Sequence, residues 1–160
     1  MECLNDDLGQ KCFCLLMNSY EWRKKLEVLA KSVATTAKQP RILAVDDNED
    51  NLLLLSEVLN AFDCSLLTAT SGQIALTIAQ AYNPDLILLD VMLPDLNGIE
   101  VVLQLKHNPT TENIPVIAVT ALASEEDRDR LLAVGCSGYL SKPYMIEDLE
   151  AIVRRALVQI

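Results

Sequence analysis

From Pro40 onward the chain alternates short aliphatic runs with longer stretches of helical period, five times in succession. The runs are 41–46, 64–69, 84–90, 114–120 and 138–140, and the helical stretches fall near 50–61, 72–82, 97–106, 125–134 and 146–158. A strand that returns in the same direction needs a crossover, so strand followed by helix, repeated, predicts parallel pairing with right-handed connections. The third run, Leu86-Ile-Leu-Leu89, is apolar without alternation, which is the pattern of a strand covered on both faces.

The helical stretches carry narrow apolar stripes. Leu52, Leu55, Leu59 and Phe62 step by three, four and three, and Leu149, Ile152, Val153, Ala156 and Leu157 repeat the pattern near the C-terminus. Ser71 and Ser124 stand where N-caps belong, Ser124 ahead of the acidic turn Glu125-Glu-Asp127, and Gly135 follows the stretch ending at Val134. Asn97-Gly98 reads as a turn, with Gly supplying a positive φ. These signals predict an α/β fold, a flavodoxin-like open five-stranded parallel sheet of order 2-1-3-4-5 with helices on both faces.

Composition excludes several classes. At 160 residues and 51% apolar content the chain can bury one substantial core, so neither a disordered nor a fibrous chain is expected. The first 40 residues hold six basic and five acidic side chains, leaving seven basic and eighteen acidic for the rest. An acidic domain repels a phosphate backbone, so no direct nucleic acid binding is expected. Cys3, Cys12, Cys14, Cys64 and Cys136 show no framework spacing, and Cys12-x-Cys14 has no second Cys/His pair to complete a zinc site. The N-terminus has acid where a signal peptide carries base, and its apolar run 12–17 is too short to span a bilayer. A cytoplasmic protein with no membrane span is the expectation.

In open parallel sheets the ligand site lies at the carboxyl ends of the strands. The first run ends in Asp46-Asp47, the third in Asp90 and the fourth in Thr120, and Lys142 follows the fifth. Three carboxylates brought together repel one another, and a divalent cation resolves that conflict. Oxygen ligands with no nearby His or Cys favour Mg²⁺, with Mn²⁺ as a substitute, over zinc. A hydroxyl on Thr120 and an ammonium on Lys142 suit the oxygens of a phosphoryl unit, and a carboxylate beside the metal can attack phosphorus to give an acyl phosphate. No G-x-G-x-x-G or G-x-x-x-x-G-K-[ST] occurs, which removes the Rossmann and P-loop alternatives.

These residues carry a family resemblance. Asp46-Asp47 after an aliphatic strand, Leu88-Leu-Asp90-Val-Met-Leu-Pro94-Asp-Leu-Asn-Gly98, Val119-Thr120-Ala121 and Tyr139-Leu-Ser-Lys142-Pro143 resemble, in order and spacing, the receiver domain of two-component response regulators, in particular single-domain, chemotaxis-regulator-like members. The resemblance covers about residues 41–158.

It implies that Asp90 is the phosphoacceptor, that Asp47 binds Mg²⁺ directly with Asp90 and the backbone carbonyl of Met92, and that Asp46 acts mainly through a metal-bound water. Thr120 and Lys142 would bind phosphoryl oxygens, and Thr120 and Tyr139 would form the switch towards the face of the fourth helix, fifth strand and fifth helix. Lys142-Pro143 matches a bond that is commonly cis in the family. The apolar Met92 and Leu122 cannot orient an attacking water, so slow self-dephosphorylation is expected.

The implied partner is a sensor histidine kinase or a histidine phosphotransfer protein. With the match running to the end of the fifth helix, the expected output is protein contact rather than a DNA-binding domain, and homodimerisation is left open. Two other readings remain: a phosphorylation-independent interaction module on the same fold, and an aspartyl-nucleophile phosphohydrolase. The latter is disfavoured because such enzymes place an acid two residues after the nucleophile, where this chain has Met92. His107, before Asn108-Pro109, reads as a helix C-terminal cation rather than a phosphotransfer histidine.

Residues 1–40 read as an N-terminal extension to a receiver domain over 41–160. Trp22, Leu26, Leu29 and Val33 give one apolar stripe and predict a helix from about 20 to 37. The sequence leaves four roles open for it: docking on the receiver, dimerisation or partner binding, lying on a membrane surface, or serving as an unstructured leader.

Overall fold

The computed structural model describes residues 39–121 and 124–158. The chain runs β1 (Arg41–Val45), α1 (Glu49–Leu59), a 3-10 turn (Asn60–Phe62), β2 (Ser65–Ala69), α2 (Gly72–Tyr82), β3 (Leu86–Leu89), α3 (Gly98–His107), β4 (Val116–Thr120), α4 (Glu125–Ala133), β5 (Gly138–Ser141) and α5 (Ile146–Val158). Every strand pair is parallel, and the sheet order is β2-β1-β3-β4-β5. The flavodoxin-like sandwich predicted from the pattern is the observed fold. The helix predicted over 20–37, Cys12, Cys14 and Leu122 lie outside the described residues.

The sheet divides the core in two. On one face Leu52, Leu55, Val58 and Leu59 of α1 and Leu149 and Val153 of α5 pack against Ile42, Ala44, Leu86, Leu88, Ile117 and Val119. On the other, α2, α3 and α4 cover Leu43, Val45, Ile87, Leu89 and Ala118. Alternate residues of β1, β3 and β4 therefore go to opposite cores, so these central strands are apolar apart from Arg41 at the start of β1 and Thr120 at the end of β4. Cys136 joins the second core, and burial pushes its thiol up to about 11, which keeps it protonated and makes it a packing residue.

The helix starts follow the capping signals. The hydroxyls of Ser71 and Ser124 accept from the amides of Ile74 and Asp127. Gly135 after α4 has φ +108, a conformation that favours glycine. His107 is the last residue of α3, and its Nδ1 donates to the Leu103 carbonyl at 2.6 Å.

Gly98 departs from the expectation. It is the first residue of α3, capped by the Asn97 side chain onto Ile99 N, and its φ is not positive. Glycine is required there by a close approach: a Cβ would lie 2.4 Å from the Cα of Val91, the residue after Asp90. The start of α3 thus packs directly on the backbone of the β3–α3 loop, and Gly98 N donates to Val91 O at 2.9 Å.

The same loop is tied at a second point. Asp95 accepts from Gly72 N and Gln73 N, both at 2.9 Å, and so caps α2 from the opposite side of the sequence. These amides of Gln73 and Gly72 hold its carboxyl at about 2, below its usual 3.8.

Two variants test these anchors. Gly98→Ala is expected to lower stability in urea unfolding by about 1–3 kcal/mol, because the methyl overpacks backbone, although Ala ordinarily improves on Gly in a helix by about 1 kcal/mol. Because the folded-state carboxyl of Asp95 is depressed, its contribution is present above pH 3.8 and is lost as pH falls towards 2. The stability gap between the native chain and Asp95→Ala should therefore be full at pH 7 and shrink at pH 3; a gap that is constant between the two would refute the capping role.

Candidate functional site

Strand order decides where the polar ends meet. β1 and β3 are neighbours in register, Val45 opposite Leu89, so the residues that follow, Asp46 and Asp90, emerge side by side. This is also where the connections turn from one side of the sheet to the other, the position at which such sheets form a crevice. β3 pairs with β4 and β4 with β5, placing Thr120 opposite Ser141 and one residue from Lys142.

Asp46 and Asp90 are 2% and 7% exposed, Thr120 is fully buried, and Asp47 is exposed at the rim. Carboxylate oxygens of Asp46, Asp47 and Asp90 all lie within 4.8 Å of one another. The Lys142 ammonium reaches back across the strand ends and donates to Asp46 Oδ2 at 2.7 Å and Asp90 Oδ2 at 2.6 Å. Burial opposes the charge on Lys142, but its hydrogen bonds to Asp46 and Asp90 outweigh that and hold its pKa above the ordinary lysine range. The Lys142-Pro143 peptide is cis, as the family pattern implies.

The chain also folds around each carboxylate. Met92 N donates to Asp90 Oδ1 at 2.9 Å, wrapping the β3–α3 loop about the side chain. Asn48, the cap of α1, donates its amide to Asp46 Oδ1 at 2.9 Å. Asn51 Nδ2 meets both Asp46 oxygens, at 3.1 and 3.0 Å. Lys142 N donates to Thr120 O at 2.8 Å and fixes the turn leaving β5 beside β4. Tyr139 is half-buried on β5 and packs against the core beneath α2, α3 and α4.

The sequence-predicted groups thus stand at one edge of the sheet, with the three carboxylates and Lys142 in one cluster. The sequence reading did not single out Asn48, Asn51 or Asp95. Asn51 sits five residues after Asp46, in the first turn of α1, and that spacing is its only sequence signal.

The donor set fits a hard divalent cation: three carboxylates, no imidazole or thiolate, and an open side at Asp47. The same carboxylates currently face one ammonium. Replacing it in Lys142→Met leaves two buried carboxylates adjacent without a cation, which should cost about 3 kcal/mol in urea unfolding without added metal. Mg²⁺ should then raise the melting temperature of the variant more than that of the native chain, since the cation no longer competes with Lys142. Equal responses would mean that the two cations do not share a site.

Comparison with known proteins agrees with this geometry. The family model of the response regulator receiver domain matches residues 42–154. The polar-differentiation response regulator DivK of Brucella ovis is 40% identical over 105 residues, 66% of this chain and 85% of that protein. The fold matches the chemotaxis protein CheY4 of Vibrio cholerae with a TM-score of 0.71 at 31% identity, covering 75% of this chain and 100% of that one. It also matches the receiver domain of the sensor histidine kinase PA1611 of Pseudomonas aeruginosa PAO1, a structure with a magnesium ion coordinated in its active-site cleft. That match has a TM-score of 0.69 at 29% identity, covering 75% of this chain and 98% of that one. With the acidic cluster, the parallel sheet order and the sequence match all in agreement, the chain belongs to the response regulator receiver domain family of two-component signalling.

Proposed function

We propose that this chain is a phosphoacceptor response regulator in which Asp90 takes a phosphoryl group from a phosphohistidine in a Mg²⁺-dependent reaction. The observation that carries the reading is the Asp46, Asp47, Asp90 and Lys142 cluster, two acids buried and one open to solvent, at the crevice of the sheet.

Asp90 Oδ attacks phosphorus in line, its bond to phosphorus forming as the donor's P–N bond breaks. Asp47, Asp90 and the Met92 carbonyl would hold Mg²⁺, with Asp46 acting through water, and the cation would supply charge neutralisation during the transfer. Lys142 provides a second positive charge beside Asp90, and Thr120 a hydroxyl to a phosphoryl oxygen. Tyr139, on the adjacent strand, completes the switch with Thr120.

Receiver-domain signalling proteins are not classical enzymes; this chain would catalyse only its own phosphorylation and dephosphorylation. We assign residues 41–160 to the receiver domain and 1–40 to an extension, and place the protein in the cytoplasm. Among the described residues no helix is long and apolar enough to cross a membrane. The phosphoryl donor is a sensor histidine kinase or a histidine phosphotransfer protein, and the output is a protein contact.

Incubation with a small-molecule phosphodonor tests the assignment by intact-protein mass. A gain of about 80 Da that needs both Mg²⁺ and Asp90, and is absent in Asp90→Asn, is expected. In the same time course the adduct should outlast seconds, because Met92 offers no group to orient water. No adduct under rapid quenching would instead favour the phosphorylation-independent module.

A further inference from the structure

We propose that Asn51 is a positioning residue of the acidic site, fixing the Asp46 carboxylate so that it works on a bound divalent cation through water and leaves direct ligation to Asp47 and Asp90. The inference rests on the cation-site reading above and adds a residue to it.

A carboxylate offers about four acceptor positions, and those of Asp46 are filled. Oδ1 accepts from Asn48 N at 2.9 Å and from Asn51 Nδ2 at 3.1 Å, and Oδ2 accepts from Lys142 Nζ at 2.7 Å and from Asn51 Nδ2 at 3.0 Å. Asn51 therefore contributes to both oxygens and fixes the rotation of the carboxylate plane, which a donor to one oxygen cannot do. Asn48 and Asn51 take three of these positions and Lys142 the fourth, so Asp46 is the carboxylate least open to a direct metal bond. Asp90 is held differently, with Met92 N on Oδ1 and Lys142 on Oδ2, and Asp47 faces solvent.

The amide is itself held in place. Asn51 is half-buried on the first turn of α1, and its neighbours Leu52 and Leu55 are 7% and 3% exposed in the core beneath the sheet. A helix locked by its apolar face presents Asn51 at a fixed height over Asp46, which is what an orienting group outside the metal ligands requires. Carboxamide is suited to the task because it supplies donors to an anion without bringing a charge that would repel the cation.

The test measures Mg²⁺ binding, with no phosphoryl transfer involved, on the full chain. The Mg²⁺ concentration giving half the rise in melting temperature is compared for the native protein, Asn51→Ala, Asp46→Asn and the double variant. Asn51→Ala is expected to raise that concentration about tenfold, the size of effect typical of a lost outer-shell partner, and to add nothing once Asp46 is already neutral. Asn51→Leu, which keeps the volume, should behave as Asn51→Ala. An unchanged Mg²⁺ midpoint, or a shift of the same size in the Asp46→Asn background, overturns the proposal. A native chain that binds Mg²⁺ but takes no phosphoryl group would refute the phosphoacceptor reading and leave the coupling between Asn51 and Asp46 readable on its own.

Discussion

The carboxyl edge of the sheet is organised by two buried acids that cannot avoid each other. Because β1 and β3 run parallel and in register, Asp46 and Asp90 leave the sheet together, and neither has solvent to disperse its charge. Burying like charges side by side is costly unless each is paired and hydrogen-bonded. The Lys142 ammonium between them, the amides of Asn48 and Met92, and the Asn51 carboxamide answer that requirement. Among the described residues no buried side-chain nitrogen or oxygen is left without a partner. The local shape of α1, of the β3–α3 loop and of the turn after β5 is set by this demand.

The β3–α3 loop shows how that demand combines with packing. It is tied to the acid by Met92, to α2 by Asp95 and to α3 by the contact of Gly98 with Val91. Three anchors on so short a segment leave Asp90 on a rigid support, as the phosphoacceptor role proposed for it requires.

Most of the architecture was legible in the sequence, because it rests on periodicity. The β3 run Leu86–Leu89 and the α1 stripe of Leu52, Leu55 and Leu59 name their own structure, and Ser71 and Ser124 are caps whose partners lie within the same turn. The acids and Lys142 were legible because ligand sites form at strand ends. The unread features involve contacts between segments remote in sequence or the three-dimensional crowding of one residue. Asp95 looks like a loop acid until α2 is brought beside it. Gly98 looks like a turn residue until Val91 is seen against it, and Asn51 is one polar residue on a helix until Asp46 is placed beneath it. Such contacts leave no local pattern.

The span of the lysine bridge has a further consequence. Lys142 lies 96 residues from Asp46 and 52 from Asp90, and it follows the last strand of the chain, whereas its partners follow the first and the third. The bridge therefore closes only when β3 and β4 lie between β1 and β5 as observed. An emerging or truncated chain would carry the acids without the ammonium that reconciles them. The intact cluster is thus a certificate of assembly through the fifth strand: a chain that stops short of Lys142 has the buried acids but not their counter-charge.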